Sequence, residues 1–443
     1  MDHLELARSQ MAFSLGFHII FASISMVMPF LMFAAYRNYL RDGQEVDLRL
    51  TRAWMKGSAI LFATGAVTGT TLSFQLGLLW PEFMRHAGPI FGMPFSLEGA
   101  AFFLEAIFLG LFLYGWDRLS PRVHLMCAFL VGVCGLASGA LVIAANGWMN
   151  APTGFDWVDG QAINIDPWAA MFNDAWPLQA LHMLVAAFQA TSMAAIGLHS
   201  WGILRQRSLG PGRSGGGGSV FHRRAMTYLV PILVVTSLLQ PLIGDRSAKS
   251  IAERQPEKFA AMESHFRTEG PASLLIGGWP DEEKQEVSWG IHIPGALSFL
   301  AHGSFDAEVR GLEEFPRSEW PPVLITHLAF QIMVGLGMAM LLVSLIFLVG
   351  RWRGIDLWQR AGWLRLLVVM TPAGFLALEA GWVVTEVGRQ PWILYRILET
   401  AQSVTPVPGL GWSFALIVLI YSVLGTISFS LLWKWFQIES VKP

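Results

Sequence analysis

An all-α bundle of about nine transmembrane helices, N-terminus outside and C-terminus cytoplasmic, is the architecture the sequence predicts. Three observations predict it. Hydrophobic residues make up 53% of the 443-residue chain and charged residues only 14%, against roughly a quarter charged in a soluble protein. Nine stretches are apolar over the roughly 20 residues that a bilayer core requires. Lys and Arg are shared unevenly among the connecting loops, which fixes orientation. The net charge of −2 and the lack of a basic tract give no case for nucleic acid as a partner.

The elements follow in order. Met1 to Gln10 is polar, and the apolar run after it is too long for a signal-peptide core, so it reads as a first span, about 11–35. The others are expected at about 55–79, 95–116, 123–146, 177–203, 223–243, 322–350, 363–386 and 411–436. Gly65 and Gly69 form a GxxxG pair that suits helix packing. Cys127 and Cys134 lie on one face of the fourth span and read as small buried hydrophobes, so no disulfide framework or zinc site is available. The 19 Trp and 30 Phe fit aromatic belts and an interior packed around cofactors. Segment 205–224 contains Gly215-Gly216-Gly217-Gly218-Ser219, a flexible-linker composition with no chemistry. The odd-numbered loops and the C-terminus hold 18 Lys and Arg, while the N-terminus and short even-numbered loops hold four. The chain thus divides into six spans over 1–243, a long polar outer segment over 244–321 and three spans over 322–443.

Ionisable groups inside these spans carry the chemistry, since each costs roughly 2.5–3.5 kcal/mol at mid-membrane. They are His18, Glu98, Glu105, His182, Glu379 and Glu386; Met333 joins them because a thioether can ligate haem iron. Counted from the span ends, all fall in the outer half of the membrane, beside the long segment. Glu98 and Glu105 are seven apart and share a helix face; so do Glu379 and Glu386, with Trp382 between them. Stacked inward carboxylates suit a proton relay or an iron ligand. His18 and His182 are equally readable as interhelical hydrogen-bond partners, Met333 as core filling, His327 as a solvated or loop-bonded group and His199 as interfacial.

The segments Gly381-Trp382-Val383-Val384-Thr385-Glu386-Val387-Gly388-Arg389-Gln390-Pro391-Trp392, Glu98-Gly99-Ala100-Ala101-Phe102-Phe103-Leu104-Glu105 and Ala145-Asn146-Gly147-Trp148-Met149 resemble the signature stretches of cytochrome bd oxidase subunit I, and the resemblance covers essentially the whole chain. It implies a haem-bearing quinol:oxygen oxidoreductase of the bacterial cytoplasmic membrane. Quinol would be oxidised outside and O2 reduced to water with cytoplasmic protons, without pumping. The cofactors implied are a low-spin haem b, a high-spin haem b and a haem d, or a further haem b in place of the last. Carried over, His182 and Met333 would be the axial pair of the low-spin haem. His18 and Glu386 would each ligate one high-spin haem, in an order the sequence leaves open. Arg389 would help bind the cofactor. Glu98 would stand at the oxygen-reducing haem, Glu105 on a proton path to it, and Trp382 between haems. Ser138 and Asn146 match polar positions of the family.

In the outer segment, Lys258 and Glu263 match the two charged positions of the family's quinol loop, five residues apart. On a helix they diverge by roughly 140° and would divide the work. Glu263 would accept a quinol proton, and Lys258 would hold the headgroup or fix the loop. Gly244-Asp245-Arg246 would open the loop. The loop resembles the short class, and Gln331, with His327 and Val387, resembles the cyanide-insensitive branch. The partners implied are a polytopic subunit II, a small single-span subunit, quinol, O2 and the lipid bilayer. Two rival classes are a haem b quinone anchor that reduces no oxygen and a proton-coupled transporter. The first lacks paired in-membrane histidines here; the second lacks an internal repeat or a pair of broken helices.

Overall fold

The computed structural model describes residues 2–208 and 217–441. Among these residues, nine helical segments are long and apolar enough to cross a membrane. Helix α1 (His3–Asp42) starts in a capping box: the Asp2 carboxylate accepts from the Glu5 amide at 2.7 Å, and Glu5 returns the bond at 3.1 Å. It ends on Gly43 at φ 67°, where a side chain would be strained. Helix α2 (Glu45–Leu79) carries acids in its first turn, and α3 (Pro81–Tyr114) and α4 (Pro121–Asn150) open on proline, which needs no N–H there. A small hairpin of β1 (Asp156–Val158) and β2 (Gln161–Ile163) and the short α5 (Pro167–Met171) lead to α6 (Trp176–Ser208) and α7 (Gly217–Arg254).

The long polar segment holds α8 (Pro256–Glu263), an antiparallel hairpin of β3 (Leu274–Asp281) and β4 (Glu286–Ile293), and α9 (Ala296–His302). The hairpin was not expected. Its signal is the alternation Val287, Trp289, Ile291, Ile293, which a mixed polar segment conceals. The chain returns through α10 (Val323–Trp352), α11 (Ala361–Val369) and α12 (Ala373–Val387). It then makes a small pair, β5 (Trp392–Leu394) and β6 (Leu398–Glu399), a turn of helix α13 (Thr400–Ser403), and α14 (Leu410–Val441).

Several expected boundaries move. Helix α7 runs without interruption to Arg254, so Gly244-Asp245-Arg246 lies inside a helix and not in a loop. Helix α3 begins well before residue 95, which places Glu98 and Glu105 towards its middle and not near its start. The eighth span is broken between α11 and α12, at Met370-Thr371-Pro372, because proline cannot donate into the preceding turn. Of the glycine-rich run, Gly215 and Gly216 lie outside the described residues, while Gly217, Gly218 and Ser219 belong to α7.

Helix α1 packs along α2, α3 along α4, α6 along α7, and α10 along α12, with α12 also against α6. At one end of the bundle the Arg224 guanidinium of α7 forks onto the fully buried Asp47 of α2 at 2.7 and 2.8 Å, and Tyr228 adds a third bond at 2.8 Å. Cys127 and Cys134 are buried free thiols, as expected. His199 is buried, with its Nδ1 2.8 Å from Nδ1 of His222 on α7.

Candidate functional site

His18, Glu105, His182, Met333 and Glu379 are each faced by a glycine on a neighbouring helix. A Cβ on Gly69 would stand 2.9 Å from Cε1 of His18, and one on Gly65 would stand 3.6 Å from Cβ of Phe21. The GxxxG pair therefore packs α1 on α2, as expected, and also makes room for an imidazole. His18 Nδ1 lies 2.9 Å from Thr68 Oγ1, and that hydroxyl donates to the Thr64 carbonyl at 3.0 Å. A hydroxyl whose hydrogen is used can only accept, which assigns the proton to Nδ1. Nε2 keeps its lone pair, the arrangement that a metal-ligating histidine needs.

The acids of α3 meet α4. Ser138 Oγ donates to Glu98 Oε1 at 2.9 Å. Glu105 is buried, and a Cβ on Gly135 would meet its Oε1 at 3.4 Å. Ser138 is therefore a partner of Glu98. Glu379 of α12 turns towards α1, where a Cβ on Gly16 would lie 3.1 Å from its Oε2.

Glu386, next to the end of α12, is braced from two sides. Asn146 Nδ2 donates to Oε1 at 2.5 Å and Arg389 Nη2 to Oε2 at 2.7 Å. Arg389 is buried, and its Nε and Nη1 have no protein partner. On the neighbouring helices, Gln240 Nε2 lies 3.2 Å from Nε2 of His182 and also donates to the His182 carbonyl at 3.2 Å. Gly244 faces this imidazole; its Cβ would be 3.6 Å from Cε1. The sulfur of Met333 lies 3.1 Å from where a Cβ on Gly381 would be, so α12 gives way to the thioether as α2 does to His18. Trp382 packs with the group around Ile19, Ala190 and Leu378, between α1, α6 and α12. His18, Glu98, His182, Met333, Trp382 and Glu386 are each partly buried.

Helix α8 is docked against the bundle. Every residue from Glu257 to Glu263 is buried. Lys258 turns inward: Nζ donates to the Thr385 carbonyl at 3.2 Å and to Asn150 Oδ1 at 3.4 Å. Burial, then the Arg389 guanidinium, pull its pKa from 10.5 down to about 7. Burial alone pushes the Glu263 carboxyl from 4.5 up to about 8. Tyr395 donates to Glu257 Oε1 at 2.6 Å, and burial and that carboxylate raise the phenol. His327 is the loop partner, not a solvated group. Its Nδ1 is 2.8 Å from the Met262 carbonyl and its Nε2 3.0 Å from that of Gly277. Gln331 braces β3, donating to the Leu275 carbonyl at 3.1 Å and accepting from the Gly277 amide at 3.0 Å.

The structure thus brings Glu386, Arg389, Asn146 and Lys258 into one cluster, Glu98 to Ser138 and Met333 to α12. The sequence reading missed Thr68, Gln240, Asn150, Glu257 and Tyr395. Asn150 had a visible signal, four residues after Asn146 on one helix face. The others are joined only by tertiary packing.

Comparison with known proteins places this geometry. The family model described as cytochrome bd terminal oxidase subunit I matches residues 6–439. The "Putative cytochrome bd menaquinol oxidase subunit I" of Bacillus subtilis (strain 168) is 37% identical, over 96% of this chain and 94% of the relative. The "Cytochrome bd-II ubiquinol oxidase subunit 1" of Escherichia coli (strain K12) is 31% identical, over 95% and 94%. Among solved structures, the bd oxidase from Geobacillus thermodenitrificans superposes with a TM-score of 0.91 at 35% identity, covering 98% of both chains.

Proposed function

Because the chain belongs to the cytochrome bd terminal oxidase subunit I family, we propose that it is the haem-bearing catalytic subunit of a terminal quinol oxidase in the bacterial cytoplasmic membrane. It oxidises quinol at the outer side and reduces O2 to water with protons drawn from the cytoplasm. Two quinols supply the four electrons for each O2. Their protons leave outside, while four protons from inside end in water, so a membrane potential builds without a pump. The complex would include subunit II and a small single-span subunit.

The single observation that carries this reading is the Glu386 cluster. Arg389 is buried with two donor nitrogens that no protein group satisfies, beside a carboxylate oriented by Asn146. A buried guanidinium left half-satisfied is costly, and an anionic propionate beside an iron ligated by Glu386 would satisfy it. His18, with its proton held on Nδ1, fits a second iron of this kind. His182 and Met333 would hold a low-spin haem b, which would supply electron transfer there. Among the described residues, no three His, Cys, Asp or Glu gather into a cage for a bare metal ion. A haem would need only one or two ligating side chains from the protein. When bound, the haems supply one-electron transfer and oxygen activation; the two high-spin haems are a b-type and a d-type, or two of b-type.

The protein's own groups do the rest. Glu263 accepts the proton of a quinol hydroxyl, and Lys258 fixes α8 to α12 and α4. Glu105 passes a proton to Glu98, whose carboxyl Ser138 orients at the oxygen-reducing site. Trp382 separates the cofactor positions while lying between them.

The test is haem content and donor dependence on the purified oxidase. Pyridine haemochrome analysis is expected to give three haems per chain. Glu263→Ala and Lys258→Ala are expected to lower quinol oxidation with haem content intact, and an artificial donor that feeds the haems directly should bypass the defect. One haem or none per chain, or equal loss with both donors, overturns the reading.

A further inference from the structure

Four side chains form an unbroken hydrogen-bonded chain from the outer segment to the end of α12. Lys258 Nζ donates to Asn150 Oδ1 at 3.4 Å. Asn150 Nδ2 donates to Asn146 Oδ1 at 3.1 Å and to the Asn146 carbonyl at 2.9 Å. Asn146 Nδ2 donates to Glu386 Oε1 at 2.5 Å. Asn150 and Lys258 are both buried, so water does not compete for these bonds.

The direction of the chain is set by chemistry. An amide has one acceptor and two donors. Asn150 spends its acceptor on Lys258 and a donor on Asn146, so partners on both sides fix its orientation. The lysine in turn has its stem against α12: a Cβ on Gly388 would lie 3.2 Å from both Cγ and Cε of Lys258. The charged groups that act on its nitrogen are Arg389 and Glu386, from the turn after α12 and its last turn, and Glu257 on its own helix. A lysine on the outer segment would ordinarily reach for solvent; this one is drawn into the surroundings of Glu386.

We propose that Asn150 is a positioning residue: it holds the Lys258 side chain inward and so makes the outer segment part of the electrostatic surroundings of Glu386. This deepens the function above and rests on its reading of Glu386 as a haem ligand. The consequence is reciprocal coupling. A quinol that displaces α8 changes the charge felt at Glu386, and reduction beside Glu386 changes the hold on Lys258. The loop and the high-spin site then act as one unit although they belong to different elements.

A double-mutant cycle on the full oxidase tests it. The variants are Asn150→Leu, Lys258→Met and the two combined, at pH 6. The readouts are the midpoint potential of the haem held by Glu386 and the apparent KM of quinol against kcat. A positive charge nearby favours the reduced haem, so each single variant is expected to lower its reduction equilibrium constant about tenfold, or about 59 mV for one electron. The double variant is expected to fall no further than the larger single one. Asn150→Gln, which keeps the amide, is expected to retain the native potential. Shifts that add in the double variant, an unchanged potential in Asn150→Leu, or Asn150→Gln behaving like Asn150→Leu overturns the proposal. Asn150→Ala replaces Asn150→Leu in the cycle if the latter does not assemble. Glu386→Ala separates the two levels: if it keeps all its haem, the ligand reading fails; if it loses one haem while the cycle is additive, only the coupling fails.

Discussion

Glu386 and Glu98 are both carboxylates on apolar helices, and the bundle treats them differently. Glu386 is held at both oxygens, by a guanidinium at 2.7 Å and an amide at 2.5 Å. Glu98 receives one bond, from the Ser138 hydroxyl at 2.9 Å. A carboxylate clamped from two sides has one orientation, which suits a ligand that must stay in place. A carboxylate held by a rotating hydroxyl can exchange partners, which suits a carrier of protons. The difference has two sources: α4 offers Glu386 a planar amide at Asn146 and Glu98 only the hydroxyl of Ser138, and the turn after α12 adds Arg389 to Glu386 alone.

Four experiments test this contrast. The largest effect is expected for Glu386→Ala. One haem should be lost and turnover should fall on the order of 100-fold or more, because the variant also leaves Arg389 buried without its partner. Haem stoichiometry and oxygen consumption check it; full haem content would place Glu386 with the carriers.

Next is Glu105→Ala, expected to slow oxygen reduction by about 100-fold, at the low end of what a positioned acid or base contributes. Haem content should stay intact, and quinol should still reduce the low-spin haem. Stopped-flow spectra separate the two steps, and native turnover would remove Glu105 from the relay.

A smaller change, about tenfold, is expected for Thr68→Val, which removes only the partner of His18 Nδ1. The spectrum of one high-spin haem should shift while that of the low-spin haem holds. Met333→Leu is the complementary case: the low-spin signal shifts or disappears and the high-spin signals largely persist. Identical spectra in the two variants would mean that the two ligand sites are not separate.

The smallest effect is on docking of α8 and comes from the pKa shifts. Glu263 is raised to about 8 from 4.5. Below about 4.5 it is protonated whether docked or free. From there to about 8 only the free form ionises, so docking weakens as pH rises. Lys258 is lowered to about 7 from 10.5 and has the opposite sign. Above about 7 the docked amine is neutral while the free one still binds a proton, so docking strengthens up to about 10.5. Docking is therefore weakest near pH 7–8. Hydrogen exchange across 256–263 should pass through a maximum there after correction for intrinsic rates. Glu263→Gln should abolish the weakening on the acid side, and an unchanged profile in that variant would show that this acid does not set it.

Much of this was legible in the residues. Nine spans follow from apolar runs, because a bilayer admits backbone only where its own groups are paired, and a long apolar helix meets that condition locally. The ionisable candidates were legible for the same reason: His18 or Glu386 stands out against an apolar stretch. The strand alternation at Val287 to Ile293 was present as well, but a short run in a mixed segment reads weakly. Tertiary structure alone decided which candidates meet. The sequence places Lys258 on a polar loop about 130 residues from Glu386; folding buries it and joins the two through Asn150 and Asn146. It also gave Thr68 to His18 and Ser138 to Glu98. The periodicity of a helix fixes which of its residues share a face. It does not say which helix that face will meet, because apolar surfaces pack with many partners, and the register is set only when the polar atoms among them find one another.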